Sequence, residues 1–328
     1  MNTVEKILTV GLLLSFLVLT SCNPREKSTT ALPEVGNGTP AEGANPCSNR
    51  QGRLAFASYR DGESEIYSVN ADGTALTRLT HDEERLSKPA WSPDGKSIAY
   101  VVTDEEFNVD IYLMKADGSN PARLTTDRWV DTEPAWDPTG GSIVFSSDRD
   151  SYLNIEDGKT YEMVYEFEIY VMDANGSGQT NLTDSPGWDT APAWSPDGGQ
   201  IAFQSSRDEN PEIYMMDADG SRQVNLTNHP EDDAAPAWSP DGSKTAFHSD
   251  RTGVFNIYVM ETDGTGLVQL TSSPDWDIQP AWAPDGQHIA FYSGQEGNFE
   301  IYVMNADGSC QMRLTYHGDF DGFPDWRP

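Results

Sequence analysis

The sequence predicts an all-β fold, a six-bladed β-propeller made of four-stranded blades. Two repeated phrases carry this prediction. The first, Pro-Ala-Trp-Ser-Pro-Asp-Gly, is intact at 89–95, and its tryptophan stands at Trp91, Trp136, Trp194, Trp238, Trp282 and Trp326. The second, Ile-Tyr-x-Met-x-Ala-Asp-Gly, places its tyrosine at Tyr67, Tyr112, Tyr170, Tyr214, Tyr258 and Tyr302. Both recur every 44 or 45 residues, with one interval of 58, and a period in the mid-forties is the length of one four-stranded blade.

Each repeat supplies four antiparallel strands. The first strand carries Pro-Ala-Trp, and Ser-Pro-Asp-Gly then turns the chain because proline presets φ and glycine tolerates positive φ. The second strand is of the Ile-Ala-Phe type, as at Ile201–Phe203. The third is Ile-Tyr-Val-Met, as at Ile257–Met260, and ends in the hairpin turn Ala-Asp-Gly. The fourth is expected to end in Leu-Thr. We interpret the tryptophan and tyrosine of each repeat as packing between blades.

The two ends of the propeller predict how the ring closes. The first repeat begins at its second strand, Arg53–Ser58, and lacks the Pro-Ala-Trp strand. The sequence finishes with Phe323-Pro324-Asp325-Trp326, which is that missing strand. We therefore expect the C-terminal strand to complete blade one.

Antiparallel order sorts the connections onto two faces. Turns from strand one to two and from three to four lie on one side, here called the turn face. The connections from strand two to three and from strand four to the next blade lie on the opposite side, here called the loop face. Cys310 falls in a turn of blade six and Cys47 just before blade one, on the same face. A disulfide between them is predicted, stabilising by about 4–5 kcal/mol in the loop-entropy model; two free thiols are the alternative.

The N-terminal residues predict a leader and a tether. Lys6 precedes an apolar run, Ile7–Thr20, that is too short for a membrane span and closes on Leu-Thr-Ser-Cys22. This resembles a bacterial lipobox, so 1–22 is expected to be a lipoprotein signal with lipidation at Cys22; an ordinary secretory signal is the alternative. Residues 23–48 lack aromatic residues and periodicity and are expected to be a flexible linker. The propeller is assigned to 49–328. The expected location is extracytoplasmic, at a membrane, in the periplasm or on the cell surface.

The charge of the chain restricts its partners. It has 53 acidic against 21 basic residues, a formal net charge of −32. Such a charge argues against nucleic acid and against direct adsorption on anionic lipid. It suits a basic partner, a divalent cation or a salty habitat. No cofactor is expected, weak Ca²⁺ binding stays open, and a monomer is predicted.

The repeat resembles that of the TolB propeller, over residues 52–328. The resemblance rests on the motifs Pro-x-Trp-Ser-Pro-Asp-Gly, Ile-Ala-Phe and Ile-Tyr-x-Met. Related repeats occur in the propellers of prolyl-oligopeptidase-type peptidases. The resemblance implies the fold and an envelope protein or peptide as partner. TolB has an additional N-terminal α/β domain where this chain has the tether, so the role of TolB in the Tol–Pal system is not carried over.

A polar pattern accompanies the repeat. An aspartate stands three residues before most repeated prolines, and an arginine stands four residues after most second-strand aromatics. The pairs expected within blades are Asp321 with Arg60, Asp131 with Arg149, Asp189 with Arg207, and Asp233 with Arg251. Blade two lacks both members, having Leu86 and Asp104. This joint loss favours structural ion pairs that hold loops; a ligand-binding ring of carboxylates is the alternative.

Departures from the repeat predict the partner-binding site. Asp277 in blade six keeps its carboxylate but faces Gln295 in place of arginine. Trp129, Trp188 and Trp276 lie on the loop face outside the repeat, where they could contact a protein, peptide or sugar or pack over loop edges. Blade three carries fourteen extra residues, predicted to form a hairpin over Tyr152–Phe167 with Tyr161 and Tyr165. Insertions on one face often mark the binding face, although a tolerated surface loop is the alternative.

No convincing catalytic motif is present. The sequence has no Gly-x-Ser-x-Gly elbow and no His-Glu-x-x-His. His81, His229 and His317 fall in loop-face connections of blades one, four and six and need not converge. The primary hypothesis is therefore a lipid-anchored module that binds an envelope protein or peptide, and the second is a lipoprotein that binds a small ligand or glycan. A lyase or hydrolase is the third.

Overall fold

A computed structural model describes residues 50–81, 84–156, 160–164, 166–295 and 297–328 of the 328-residue chain. The described residues form six four-stranded antiparallel sheets and one two-stranded hairpin. From the innermost strand outward, the blades are as follows. Blade one has β26 (Asp321–Trp326), β1 (Arg53–Asp61), β2 (Glu63–Asn70) and β3 (Thr77–Arg78). Blade two has β4 (Arg85–Trp91), β5 (Ser97–Thr103), β6 (Val109–Lys115) and β7 (Ala122–Arg123). Blade three has β8 (Asp131–Trp136), β9 (Ser142–Ser147), β12 (Glu168–Asp173) and β13 (Thr180–Asn181).

The remaining blades follow the same plan. Blade four has β14 (Asp189–Trp194), β15 (Gln200–Ser205), β16 (Glu212–Asp217) and β17 (Val224–Asn225). Blade five has β18 (Asp233–Trp238), β19 (Lys244–Ser249), β20 (Asn256–Glu261) and β21 (Val268–Gln269). Blade six has β22 (Asp277–Trp282), β23 (His288–Ser293), β24 (Glu300–Asn305) and β25 (Met312–Arg313). The predicted six-bladed fold is confirmed.

The ring closes as predicted, because the C-terminal strand β26 joins blade one. It pairs antiparallel with β1, with Leu54 opposite Trp326 and Ser58 opposite Asp321. Each innermost strand also contacts the innermost strand of the next blade, and β26 contacts both β22 and β4. The six first strands therefore surround the axis without a gap.

The core lies between blades, as the two-sided apolar strands predict. One cluster joins Ile111 of blade two to Phe145 and Tyr170 of blade three. Three of the six repeated tryptophans add a polar link across the same kind of interface. The indole of Trp136 donates to the Ala90 carbonyl of the preceding blade at 3.2 Å, and Trp238 and Trp326 repeat this bond.

The outermost strands are shorter than the sequence suggested. Each has only two residues and stops before the repeated Leu-Thr. The threonine instead bonds sideways, so that Thr80 Oγ1 accepts the amide proton of Ile66 at 2.9 Å. The same bond recurs in every blade, for example between Thr315 and Ile301. The carbonyl of Ile66 still accepts the backbone amide of Leu79 at 2.8 Å, so the threonine side chain replaces only the backbone acceptor for the Ile66 amide.

The chain enters the propeller on the turn face. The guanidinium of Arg50 donates to the carbonyl oxygen of Cys310 in the three-to-four turn of blade six. Cys310 is disulfide-bonded, and its predicted partner, Cys47, lies outside the described residues, as do Cys22 and the predicted leader and linker. Within the described part of the chain, no helix is long and apolar enough to cross a membrane.

Candidate functional site

The predicted aspartate–arginine pairs are formed in four blades. Each arginine Nη2 lies 2.7 Å from its aspartate in the pairs Arg60–Asp321, Arg149–Asp131, Arg207–Asp189 and Arg251–Asp233. The aspartate side chains are fully buried, while the arginines keep 12–17% exposure. Each aspartate begins the first strand of its blade, so the pairs lie at the loop-face end of the inner strands.

Every paired arginine occupies the same set of contacts. In blade five, Arg251 Nε donates to Ser249 Oγ at 3.0 Å. Its Cζ lies 5.6 Å from the ring centroid of Phe247 and 4.9 Å from that of Tyr258. The arginines of blades one, three and four repeat the serine bond and both ring contacts. The repeat therefore builds a site for one guanidinium from a carboxylate, a hydroxyl and two aromatic rings.

Blade six contains this site without an arginine. Asp277 is fully buried, its Oδ1 is 3.4 Å from Gln295 Nε2, and its Oδ2 accepts no hydrogen bond. An oxygen without a hydrogen bond also occurs in Asp131, Asp189 and Asp321, so the missing cation is what distinguishes Asp277. Burial raises the pKa of Asp277, and contacts with Ser293, Thr271 and Gln295 oppose this only in part.

The three tryptophans on the loop face are partly exposed. Trp276 packs edge-on against Phe255 of the preceding blade, with ring centroids 5.5 Å apart. Trp188 packs edge-on against Phe167 at 6.3 Å. Trp129 lies under the guanidinium of its neighbour Arg128, with Cζ 4.6 Å from the ring centroid. Trp188 and Trp276 thus contact the preceding blade at the loop edges and also present surface to solvent.

The insertion in blade three forms the predicted hairpin. Strand β10 (Tyr152–Glu156) pairs antiparallel with β11 (Thr160–Val164), and Ile155 is opposite Tyr161. The Tyr152 side chain is 50% exposed. Tyr165, also predicted as a contact, lies outside the described residues. The hairpin connects strands two and three of its blade and therefore belongs to the loop face.

A second set of buried carboxylates escaped the sequence analysis. The residue two before each repeated tyrosine is acidic in five blades, and in all five it accepts a bond from the threonine of Leu-Thr, as Glu300 does from Thr315 at 2.6 Å. In blade six Arg313 also forms an ion pair with Glu300, with 2.5 Å between Nη2 and Oε1. Asn181 replaces this arginine in blade three, and burial there raises the pKa of Glu168 to about 7. The acidic residue and the threonine are always 15 residues apart, and this constant spacing is the signal in the sequence that could have revealed the set.

The sequence analysis also missed a ring of strained residues around the axis. The residue before each first-strand proline takes a positive φ of 47–56°, and the register shifts at this point in the ladders of the inner strands. These six residues are Lys88, Glu133, Ala191, Ala235, Gln279 and Phe323. All are partly exposed although they sit in the middle of the innermost strands, so they face the axial channel.

Side-chain contacts connect this axial ring from blade to blade. The ammonium group of Lys88 pairs with Glu133 and lies 5.3 Å from the ring centroid of Phe323. Glu133 Oε2 also accepts the amide proton of Ala191 at 2.7 Å. Burial opposes ionisation of Glu133, but Lys88 and these donors hold its pKa below its usual value. On the other side, His248 Nδ1 accepts the Gln279 amide at 3.3 Å, and burial lowers the pKa of His248 to about 3.

Two of the three loop histidines are engaged by the backbone of their own loops. His229 and His317 each accept a backbone amide two residues ahead, from Glu231 and Asp319. Among the residues that the structure describes, no group of three or more His, Cys, Asp or Glu side chains is arranged to hold a metal ion.

Fold and site together define a six-bladed β-propeller whose loop face carries partly exposed aromatic residues and, in blade six, a buried aspartate that faces glutamine in place of the arginine of four other blades. The family model described as TolB beta propeller domain matches residues 83–163, 156–233 and 221–328. The chain therefore belongs to the TolB β-propeller family.

Relatives and solved structures agree with this assignment. A TolB homolog of Chlorobium luteolum is 32% identical over 167 residues, which are 48% of this chain and 33% of that protein. The Tol-Pal system protein TolB of Desulfosudis oleivorans is 42% identical over 50 residues, 15% of this chain and 11% of that protein. The chain thus spans at most a third of these curated relatives. The crystal structure of TolB from Acinetobacter baumannii superposes with a TM-score of 0.73 at 24% identity, covering 84% of this chain and 67% of that one.

Proposed function

We propose that this chain is a lipid-anchored module of the cell envelope that binds a protein or peptide through the loop face of its propeller. The observation that carries the proposal is the placement of Trp129, Trp188 and Trp276 on one face, partly exposed, together with the inserted hairpin β10–β11. Aromatic side chains supply much of the binding energy at protein interfaces. The family and the Tol-Pal name of one relative support an envelope partner.

The N-terminal sequence supports the anchor. Leu-Thr-Ser-Cys22 after a short apolar run resembles a lipobox, and lipidation at Cys22 would attach the propeller to a membrane through the linker. The net charge of −32 favours a partner with a basic surface, because opposite charge accelerates encounter and like charge suppresses it. Mass spectrometry of the mature protein tests the anchor directly: a diacylated or triacylated Cys22 is expected, and an unmodified thiol there would refute it.

The binding face is tested with matched variants. The partner is first identified by affinity purification of the anchored protein from its own cells and then purified for titration. Trp188→Ala and Trp276→Ala should each weaken its affinity at least about tenfold, as interface aromatics do. Leu76→Ser is the control, since Leu76 is 47% exposed in a three-to-four turn on the opposite face. Equal affinity for wild type and both tryptophan variants, with unchanged thermal stability, would overturn the assignment of this face.

A small-ligand or glycan-binding role is the second candidate. It is favoured by the axial ring, where Lys88, Glu133 and Gln279 present polar groups beside the ring of Phe323. A site-specific ligand stabilises the folded state by mass action. A thermal-shift screen of sugars and short peptides should therefore raise the melting temperature for one class and leave it unchanged for the other.

A further inference from the structure

The six blades are internal copies of one another, so a group missing from one blade can be compared with the same position in the others. Blades one, three, four and five each enclose the guanidinium of their own arginine. Blade two has neither the aspartate nor the arginine, because Leu86 and Asp104 stand there. Blade six has the aspartate and lacks the arginine. The carboxylate, the serine hydroxyl and the two rings that surround the guanidinium are here called the receptor groups. Among the described blades, blade six alone keeps these groups without the arginine.

The receptor groups of blade six have the geometry of their counterparts. The rings of Phe291 and Tyr302 are 5.7 Å apart at 30°, and those of Phe247 and Tyr258 in blade five are 6.0 Å apart at 25°. Ser293 is fully buried at the position of Ser249, whose hydroxyl accepts the arginine Nε of blade five.

A glutamine from the three-to-four segment completes the comparison. In blade four, Gln223 Oε1 accepts a bond from Arg207 Nη1 at 2.7 Å, while its Nε2 donates to the carbonyls of Leu182 and Gly220. In blade six, Gln311 Nε2 donates to the equivalent carbonyls of Leu270 and Gly308, at 3.3 and 3.1 Å. Its amide is therefore held in the orientation in which Gln223 receives an arginine.

Gln295 fills the arginine position poorly. Its neutral amide reaches Asp277 only at 3.4 Å, near the limit for a hydrogen bond. The residue is exposed and lies between Gly294 and Gly297, the latter at a φ of +87°. A buried carboxylate without a cation is costly, and a guanidinium that displaced this side chain would remove that cost.

We propose that blade six binds an arginine side chain of a partner protein or peptide in a site formed by Asp277, Ser293, Gln311 and the rings of Phe291 and Tyr302. The guanidinium donates to the carboxylate of Asp277 and to the hydroxyl of Ser293, and it lies over both rings as the arginines of the other blades do. Arginine suits this site better than lysine because its planar group can both stack and donate in a fixed geometry. Trp276 borders the site, and the acidic surface favours a basic ligand.

This inference rests on the proposed function and names the chemistry of its partner. The test titrates the full chain with N-acetyl-arginine amide and follows binding by calorimetry. Saturable binding at one site is expected, and N-acetyl-citrulline amide, which is neutral and nearly isosteric, should bind at least about tenfold more weakly. Absence of saturable binding up to about 20 mM would overturn the proposal.

Two variants make the test specific. Gln295→Arg supplies the arginine of the repeat and should abolish binding while preserving or raising the melting temperature, so loss of binding cannot come from unfolding. Arg207→Gln in blade four, where Gln223 stands at the position of Gln311, creates a second copy of the site and should raise the stoichiometry from one to two. Unchanged binding by Gln295→Arg would refute the site.

The outcomes separate this inference from the proposed function. If Gln295→Arg binds the purified partner as wild type does while Trp188→Ala and Trp276→Ala weaken it, the arginine site is wrong and the loop face stands. If the arginine amide binds as expected but all three variants bind the partner normally, the proposed interface is wrong.

Discussion

Leu54 and Trp326 are partners in one antiparallel ladder, although Leu54 stands near the start of the propeller and Trp326 near its end. The indole of Trp326 also donates to the Ala281 carbonyl of blade six at 3.1 Å. The last strand thus joins blade one by its backbone and blade six by a side chain. The final residues therefore hold the first and last blades of the ring together.

Removal of residues 321–328 should open the ring. The deletion removes β26, the carboxylate partner of Arg60 and the buried side chain of Trp326. We expect the melting temperature to fall by about 10 °C or more, or the cooperative transition to disappear, because several kcal/mol are lost in one step. Deletion of Pro328 alone is the control and should change little. An unaltered melting curve for the longer deletion would contradict the closure.

The buried ion pairs should show strong coupling. Arg207→Gln leaves the carboxylate of Asp189 buried without its cation and should lower the free energy of unfolding by about 2–3 kcal/mol. The double variant Asp189→Asn/Arg207→Gln removes the uncompensated charge and should lose only about 1 kcal/mol. Urea denaturation of the single and double variants measures both values. Additive losses would mean that the two side chains do not act as a pair.

The carboxyl group of Glu168 should make stability fall as the pH rises from acidic to neutral. Burial raises the pKa of this group to about 7, above its value in the unfolded chain. Its protonated form therefore favours the fold at low pH, and that contribution is lost as pH rises through 7. Between pH 5 and pH 8, the free energy of unfolding of Glu168→Gln should rise by about 2 kcal/mol relative to that of wild type. Glu300→Gln is the matched control, since it removes the ion pair with Arg313 and should destabilise the protein at pH 8. A pH-independent difference for Glu168→Gln would refute the shift.

The disulfide at Cys310 should contribute to stability only under oxidising conditions. Cys310→Ser is expected to lower the free energy of unfolding by about 4 kcal/mol, as the loop-entropy model gives for a long closed loop. In the presence of a reducing agent, wild type and variant should unfold alike. Peptide mapping by mass spectrometry, with and without reductant, identifies the cysteine that pairs with Cys310. Equal stabilities under oxidising conditions would argue against a structural role.

The parts of the fold that could be predicted are those in which identical residues recur. Trp136 and Tyr170 mark their strands because every blade needs the same large side chains between its neighbours. Asp131 and Arg149 could be paired from sequence because blade two lost both members of the pair together. The hairpin β10–β11 was also predictable, since fourteen extra residues interrupt an otherwise regular period.

The axial ring could not be predicted, because its members share a backbone conformation and not a residue type. Lys88, Ala191 and Phe323 have nothing in common except the proline that follows them. Their positive φ arises from the register shift in the ladder, and a residue other than glycine is strained there by about 1 kcal/mol. Such strain follows from the pairing of strands and leaves no periodic signal in composition. Neither could the contacts of Trp188 and Trp276 be predicted, since they depend on Phe167 and Phe255 of neighbouring blades.

The contact between Arg50 and Cys310 fixes the face on which the chain enters the propeller. Trp276 and the blade-six carboxylate lie on the opposite face from this contact. A partner that docks on the loop face therefore does not have to displace Arg50 from Cys310.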